Sequence, residues 1–348
     1  MFSKKSVNEN IQLKISVLII AYNRREYLVH SLYSAYAQTL SRDRYEIIVI
    51  KNFEDPYLDN MISYFGARSI LIEDGCSLSK ACEVGIKAAT GDIISFLEDD
   101  DVYKNTKLEE VLTIFSSDPN IGFFRHNVSF INSQGKSIRK KERENLRITF
   151  DRNLIIKNVK KYLWLLRYSG AAFNISSMSI KKSLFAPFLD NFGEAFGLCS
   201  DGAMLSLALT SHCTIHLSRK YLGLYRKSPQ SASRSIGTSL EAKNKTAQIV
   251  NRFYDDVEAV SKFYNDQNVS VFMYYQTMQG TVNAAINVMK GKSLPTKTSD
   301  AFDLKKVIKA GLLARDPLII YDVGRYFFNR FILHSIPHRI VRAAQSLN

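Results

Sequence analysis

Three short runs of almost unbroken apolar residues constrain this chain most. Residues 14–21 read KISVLIIA, residues 45–50 read YEIIVI, and residues 93–97 read IISFL. A strand with one wet face alternates apolar and polar residues. A continuous β-branched run instead marks a strand buried on both faces, as in a parallel sheet covered by helices on either side. The stretches between the runs carry helical spacing. Residues 24–38 place Tyr27, Leu28, Ser31, Leu32 and Ala35 on one side, residues 61–65 fit a short helix, and residues 78–89 form another that Ser77 or Ser79 can cap. Residues 69–72 read as a further short strand, and Gly91 is placed to end the third helix in the C′ role. The first 105 residues thus predict β-α-β-α-β-α-β, a doubly wound, Rossmann-like α/β sheet. Ligands of such sheets sit beyond the carboxyl ends of the strands, which points to the residues just after Ile20, Ile50 and Leu97.

The rest of the chain is more mixed. Helices are expected over 107–117 and 201–209, strands over 122–132 and 215–226, and strand-like residues within 169–180. The stretch 136–161 reads as a loop that becomes helical. From about 236 onward the pattern is helical, with candidates at 241–263, 271–289 and 304–313. The last 32 residues mix large apolar side chains with Arg and His; they fit either an amphipathic interfacial helix or a helix packed on the preceding domain or on a second subunit.

Composition narrows the function classes. The chain has 348 residues, is 46% hydrophobic, and carries 47 Lys plus Arg against 33 Asp plus Glu, a formal charge of +14. A disordered or collagen-like chain is excluded. Four cysteines (Cys76, Cys82, Cys199, Cys213) form no CxxC pair and no zinc-spaced cluster, so reduced thiols in a cytoplasmic protein are expected. No stretch has the roughly 18 apolar residues of a transmembrane helix. The charge is local: residues 136–161 hold ten basic and three acidic residues, and residues 304–348 hold eight and two. Such clusters fit nucleic acid, an anionic membrane surface or an anionic substrate. Neither an RNP-type nor a helix-turn-helix signature is present, which argues against nucleic acid. No P-loop and no G-x-G-x-x-G occurs.

The chemistry concentrates in Glu98-Asp99-Asp100-Asp101, four acids at the carboxyl end of a buried strand. Packed carboxylates repel one another, and a divalent cation relieves that cost; Mg²⁺ and Mn²⁺ prefer such oxygen ligands and bridge them to phosphates.

SVLIIAYNR (16–24), YEIIVI (45–50) and GIKAATGDIISFLEDDD (85–101) together resemble an inverting family 2 glycosyltransferase of the GT-A fold. Cys199-Ser200-Asp201 stands where that family has Glu-Asp before an amphipathic helix, and LGLYRKSPQSAS (222–233) resembles its closing L-x-x-Y-R segment. The resemblance spans about 14–234. It implies a GT-A domain over 1–235, with a nucleotide-sugar half (about 14–105) and an acceptor half (about 106–235), followed by a helical extension over 236–348 that is membrane-peripheral or oligomerising.

The resemblance implies roles by position. Ala21, Tyr22, Asn23 and Arg24 lie where a nucleotide sugar binds, and Asn52 and Glu54 lie at the same end of the second strand. Glu98 stands in place of the first acid of the D-x-D motif, with Asp99 beside it. Asp100 and Asp101 match metal-binding acids for Mg²⁺ or Mn²⁺. Asp201 matches the general base, and Arg226 lies where a closing loop meets the diphosphate. The implied partners are a nucleotide-sugar donor and a glycan or lipid-linked acceptor, with an anionic membrane surface or a second copy of the chain as further candidates. The implied place is the cytoplasm, free or on the membrane's cytoplasmic face.

Three departures qualify this. The second strand ends in Lys51-Asn52-Phe53-Glu54 rather than D-D-G-S, leaving the Asn52 amide to meet a base. Cys82-Glu83 replaces the family's Arg-Asn, so Lys80 or Lys87 is expected to supply the diphosphate contact. Ser200 replaces a Glu. Two alternatives stay open: a catalytically silent scaffold, allowed by these departures, and a sugar-phosphate nucleotidyltransferase, disfavoured by the missing Gly-rich loop. Arg125-His126 fits either an acceptor-facing or a structural role, His212 and His216 a weak metal pair, and Trp164 a core anchor or a sugar platform.

Overall fold

The computed structural model describes residues 12–138, 150–168, 170–197, 200–227, 252, 255–273, 308 and 312. Within them lies one nine-stranded sheet, ordered β3-β2-β1-β4-β8-β6-β9-β5, with β7 also paired to β9. Strands β1 (Ile15–Ala21), β2 (Tyr45–Lys51), β3 (Arg68–Leu71) and β4 (Ile93–Glu98) run parallel. The second half is mixed. Strand β8 (Met178–Lys181) joins β4 to β6 (Ile121–Asn132) through antiparallel pairs, and β9 (Thr214–Lys227) lies parallel to β6. β5 (Val102–Tyr103) and β7 (Leu154–Ile156) pair antiparallel with β9.

The continuous apolar runs are explained by two cores, one on each side of the sheet. Ile15, Val17 and Ile19 of β1 pack with α1 (Leu28–Tyr36), α2 (Pro56–Tyr64) and α4 (Lys107–Ser117). Leu18 and Ile20 face the other way, toward α3 (Leu78–Ala88), α5 (Val159–Tyr168) and α6 (Ser200–Thr210). Every residue of β1 is therefore buried, and the single polar one, Ser16, donates to Glu46 and accepts from Gly91 N.

Local chemistry moves some expected boundaries. The second helix starts at Pro56, not 61, because the Asp55 carboxylate accepts from Leu58 N (3.1 Å) and Pro occupies the first turn. Ser77, rather than Ser79, caps α3 by accepting from Lys80 N. Gly91 is not a left-handed C′ residue. A Cβ there would lie 2.7 Å from Ser16 N and 2.8 Å from Lys14 O, so glycine is required by close approach to β1.

Ser79 and Glu83 fasten α3 to the segment that leads into α6. Ser79 Oγ lies 2.8 Å from Gly193 O and 2.6 Å from Phe196 O. The buried Glu83 carboxylate accepts from Gly193 N (2.8 Å), Lys80 Nζ (3.1 Å) and Lys87 Nζ (2.7 Å). Those bonds outweigh the cost of burial and hold its pKa below the usual range. Glu83→Ala strands Gly193 N, and a buried donor without a partner costs about 1–3 kcal/mol. Urea unfolding should show a loss of that size, and an unchanged midpoint would refute the latch.

Most of the expected extension 236–348, the closing Ser231 and Ser233, most of the basic stretches, Cys199, His334 and His338 lie outside the described residues, as does the side chain of Trp164. Residues 255–264 and 267–273 are helical. Val257, Val260, Tyr264 and Phe272 enter the same core as α3, α5 and α6. Tyr264 Oη donates to Ala203 O (3.1 Å), and Asp256 accepts from Gly197 N (2.8 Å). This part of the extension buttresses α6.

Candidate active site

The loop between β4 and β5 carries the four acids. Its course is fixed from below: Ser31 Oγ on α1 lies 2.8 Å from Asp99 O and 2.7 Å from Asp101 O. Above it, Ser176 Oγ accepts from Glu98 N (2.9 Å). Neither serine could be singled out from sequence, because each acts across some seventy residues or more.

Glu98, Asp100 and Asp101 converge, each offering one carboxylate oxygen, all within 4.8 Å of one another. Among the described residues this is the only such group. Asp99 and Asp100 are tied to Arg24, whose Nη1 donates to Asp100 Oδ2 at 2.7 Å and whose Nη2 pairs with Asp99. Burial raises all four acids. Asp99 and Asp101 are pushed up to about 7, and like charges add to the burial effect at Asp101 and Glu98. Burial pulls the Arg24 guanidinium down, but the neighbouring carboxylates more than offset this and raise it. The donor set fits a hard divalent cation. It is all oxygen, it is crowded with like charge, and its hydrogen bonds leave further lone pairs free. Asp101 is oriented through both oxygens, accepting from Arg226 N (2.9 Å) and Asn174 Nδ2 (2.7 Å).

Arg226 is buried in β9 rather than carried on a loop. Its Nε donates to Asp100 O (2.8 Å), its Nη1 reaches Asn132 O and Ser133 O (both 3.2 Å), and its guanidinium lies 4.4 Å from the Tyr27 ring centroid. It braces the acidic loop from behind.

Asp201 sits in the first turn of α6. Its Oδ1 accepts from Gly202 N (2.9 Å) and its Oδ2 from Asn174 N (3.2 Å). Burial pushes its pKa up to about 6, while backbone donors and Arg125 hold it from rising further. Arg125 and His126 are fully buried in β6, and Arg125 is close enough to Asp201 to interact with its charge. Arg125 lies 4.7 Å from the Phe150 ring centroid and donates to Phe173 O.

At the first two strand ends, Asn23 adopts φ 55° and donates its N–H to Asn52 Oδ1 (2.8 Å). Asn52 Nδ2 is shared between Asn23 Oδ1 and Asp74 Oδ1, both at 2.9 Å. The Asn52 amide is thus engaged on both ends within the protein. The acid missing at 51 and 52 has a neighbour in Asp74, exposed just beyond β3. Sequence reading passed over Asp74 because it belongs to no motif. Buried Lys51 is held by Phe53 O and Asp59. Ala21 is buried, Tyr22 partly so, and Glu54 is exposed.

Lys87 does not join this group. It lies nine residues along α3 from Leu78, about 13 Å toward the amino ends of the strands at 1.5 Å per residue. There it pairs with Glu83 and approaches Asp190 (3.6 Å). The expected diphosphate contact through Lys87 is therefore withdrawn, and Lys80 is likewise held by Glu83. His216 is buried in β9, and His212 lies at a left-handed turn after α6; neither belongs to the acid cluster.

Residues 16–182 match the family model for glycosyl transferase family 2. A Nostoc glycosyltransferase is 28% identical over 131 residues, covering 36% of this chain and 40% of that one. A Haemophilus influenzae glycosyltransferase is 30% identical over 113 residues, covering 32% and 38%. The chain thus matches about two-fifths of the length of these curated relatives. In fold, residues 1–349 of Staphylococcus aureus TarS solved with UDP give a TM-score of 0.51 at 13% identity, covering 93% of this chain and 91% of that one. The form solved with UDP-GlcNAc gives 0.53 at 12%. The sheet and its helices are of the GT-A type. Residues 16–182, just under half of the chain, are thus similar to family 2 glycosyltransferases.

Among the described residues, no helix is long and apolar enough to cross a membrane.

Proposed function

We propose that this chain is a metal-dependent inverting glycosyltransferase, moving a sugar from a nucleotide-sugar donor to a hydroxyl of a glycan or lipid-linked acceptor. The observation that carries the reading is the pairing of functions at one end of the sheet. A cation-fitting acid cluster and a half-buried carboxylate, Asp201, with its pKa pushed up to about 6 are joined through a single residue, Asn174. The base-side pocket is formed by Ala21, Tyr22, Asn23 and Asn52, with Asp74 beside it as a carboxylate suited to accepting from a base N–H.

In the reaction, Asp201 takes the proton of the acceptor hydroxyl as that oxygen bonds to the anomeric carbon. The bond from that carbon to the diphosphate oxygen breaks, and the nucleoside diphosphate leaves with the electron pair. Attack opposite the leaving group inverts the anomeric centre, as in one-step inverting hydrolysis. A cation held by Asp100, Asp101 and Glu98 would neutralise charge on the departing diphosphate. Arg24 and Arg226 hold the acids in place from either side.

The lipid-linked form of the acceptor is supported by the basic stretches 136–161 and 304–348, which suit an anionic membrane surface. A thermal-shift screen of UDP-, GDP-, CDP- and dTDP-sugars, each with Mn²⁺ or Mg²⁺, tests the donor reading. One base class should stabilise the protein, and only with metal. A flat response across the panel would overturn the assignment.

A further inference from the structure

Among the described residues, Asn174 is bonded to both halves of the candidate site. It lies 73 residues from Asp101 and 27 from Asp201, in a stretch between α5 and β8 that no sequence motif covers. Its backbone is left-handed, with φ 61° and ψ 102°, a conformation that side chains other than Asn, Asp and Gly seldom adopt. That turn aims the two ends of the residue differently. The backbone N–H donates to Asp201 Oδ2, and the side-chain Nδ2 donates to Asp101 Oδ2. Since an ionised carboxylate only accepts, Asp101 also fixes which end of the amide faces it. The other end, Oδ1, is buried and has no hydrogen-bond partner among the described residues. Buried amide oxygens are nearly always bonded, so an orphan on a residue that touches both the base and the cation-fitting cluster calls for a partner.

We infer that Asn174 positions Asp101 and Asp201 in one frame, and that its Oδ1 accepts a hydrogen bond from a hydroxyl of the transferred sugar. The second part rests on the nucleotide-sugar reading above. The chemistry is matched: a sugar hydroxyl donates, the amide oxygen accepts, and the sugar must lie between the diphosphate held at the acids and the base on its far side. A nucleoside diphosphate alone ends before that point and makes no such contact.

Asn174→Gly separates the contributions, because Gly adopts the left-handed backbone, keeps the N–H to Asp201 and removes only the amide. Calorimetric titration in MnCl₂ would compare UDP with UDP-GlcNAc and GDP with GDP-mannose on wild type, Asn174→Gly and Asn174→Asp. For the pair that wild type binds, Asn174→Gly should weaken the sugar nucleotide about tenfold more than the bare diphosphate, the scale of one lost hydrogen bond. Asn174→Asp retains an acceptor oxygen, so its sugar-to-diphosphate affinity ratio should stay near wild type even where both ligands bind more weakly. Equal losses for both ligands in Asn174→Gly, with its melting temperature intact, would overturn the sugar contact and leave only positioning. Unchanged binding and turnover in Asn174→Gly would overturn both roles. A wild type silent to every ligand would instead remove the nucleotide-sugar reading on which the contact depends.

Discussion

Asp201→Asn is expected to lower sugar transfer by about 10²–10⁴-fold, the range of a lost general base, while leaving nucleotide affinity near wild type. The substitution keeps the shape of the side chain and an oxygen that can still accept from Gly202 N or Asn174 N. What disappears is the capacity to take a proton. The wild-type pH profile gives a second reading of the same group. Burial raises the Asp201 pKa to about 6, and the base works only when ionised. Transfer should therefore level off above about pH 7 and fall roughly tenfold per unit below about 6. An Asp201→Asn enzyme with wild-type turnover, measured as nucleoside diphosphate released in the presence of acceptor, would remove Asp201 from the chemistry.

The sheet was legible because parallel strands covered on both faces leave a one-dimensional signature. Runs such as ISVLIIA and IISFL are short for buried helices and fit strands covered on both faces, and the acids that follow β4 mark the carboxyl edge of the sheet. The helix start that carries Asp201 was legible from the Cys199-Ser200-Asp201 segment and the apolar run after it. What the sequence could not display were contacts between distant residues. Ser31 and Ser176 shape the acidic loop from 68 or more residues away, and each is an ordinary serine in an ordinary helix or turn. Asn174 sits in a stretch that read simply as strand-like, although Asn followed by Ile-Ser-Ser between apolar segments is compatible with a left-handed turn. The Lys87 expectation failed for a related reason. It assumed that a lysine near the missing Arg-Asn would face the diphosphate, whereas helical rise carries it to the opposite end of α3, where Glu83 takes it. The second helix began early because Asp55-Pro56 is a start signal that periodicity alone does not weigh.

Metal-free protein should lose stability as pH rises from about 5 to 8, and Mn²⁺ should restore it. The sign follows from the acids. Asp99 and Asp101 titrate near 7 when folded, against about 3.9 for a free Asp, so folding favours their protonated forms. Their contribution is present in full below about pH 4 and lost as pH rises through 7. Glu46 opposes this at the acid end. Burial raises it, but bonds from Ser16, Thr90 and Arg68 win and hold it at about 2, so its contribution is lost as pH falls below about 4.5. For these three groups together, maximum metal-free stability is therefore expected near about pH 4. A cation that binds the ionised acids reverses the alkaline loss, adding about 2.7 kcal/mol at a hundredfold excess over its dissociation constant. Asp100→Asn supplies the opposing test. It removes one charge from the cluster while keeping an oxygen toward Arg24 Nη1, so the metal-free variant should be more stable than wild type at pH 8 yet gain little from Mn²⁺. Denaturant midpoints at pH 5 and 8, with and without Mn²⁺, decide the matter. A wild type that grows steadily more stable to pH 8 without metal, or an Asp100→Asn variant with the full Mn²⁺ response, would show that these carboxylates are not a strained cation site but an ordinary hydrogen-bonded loop.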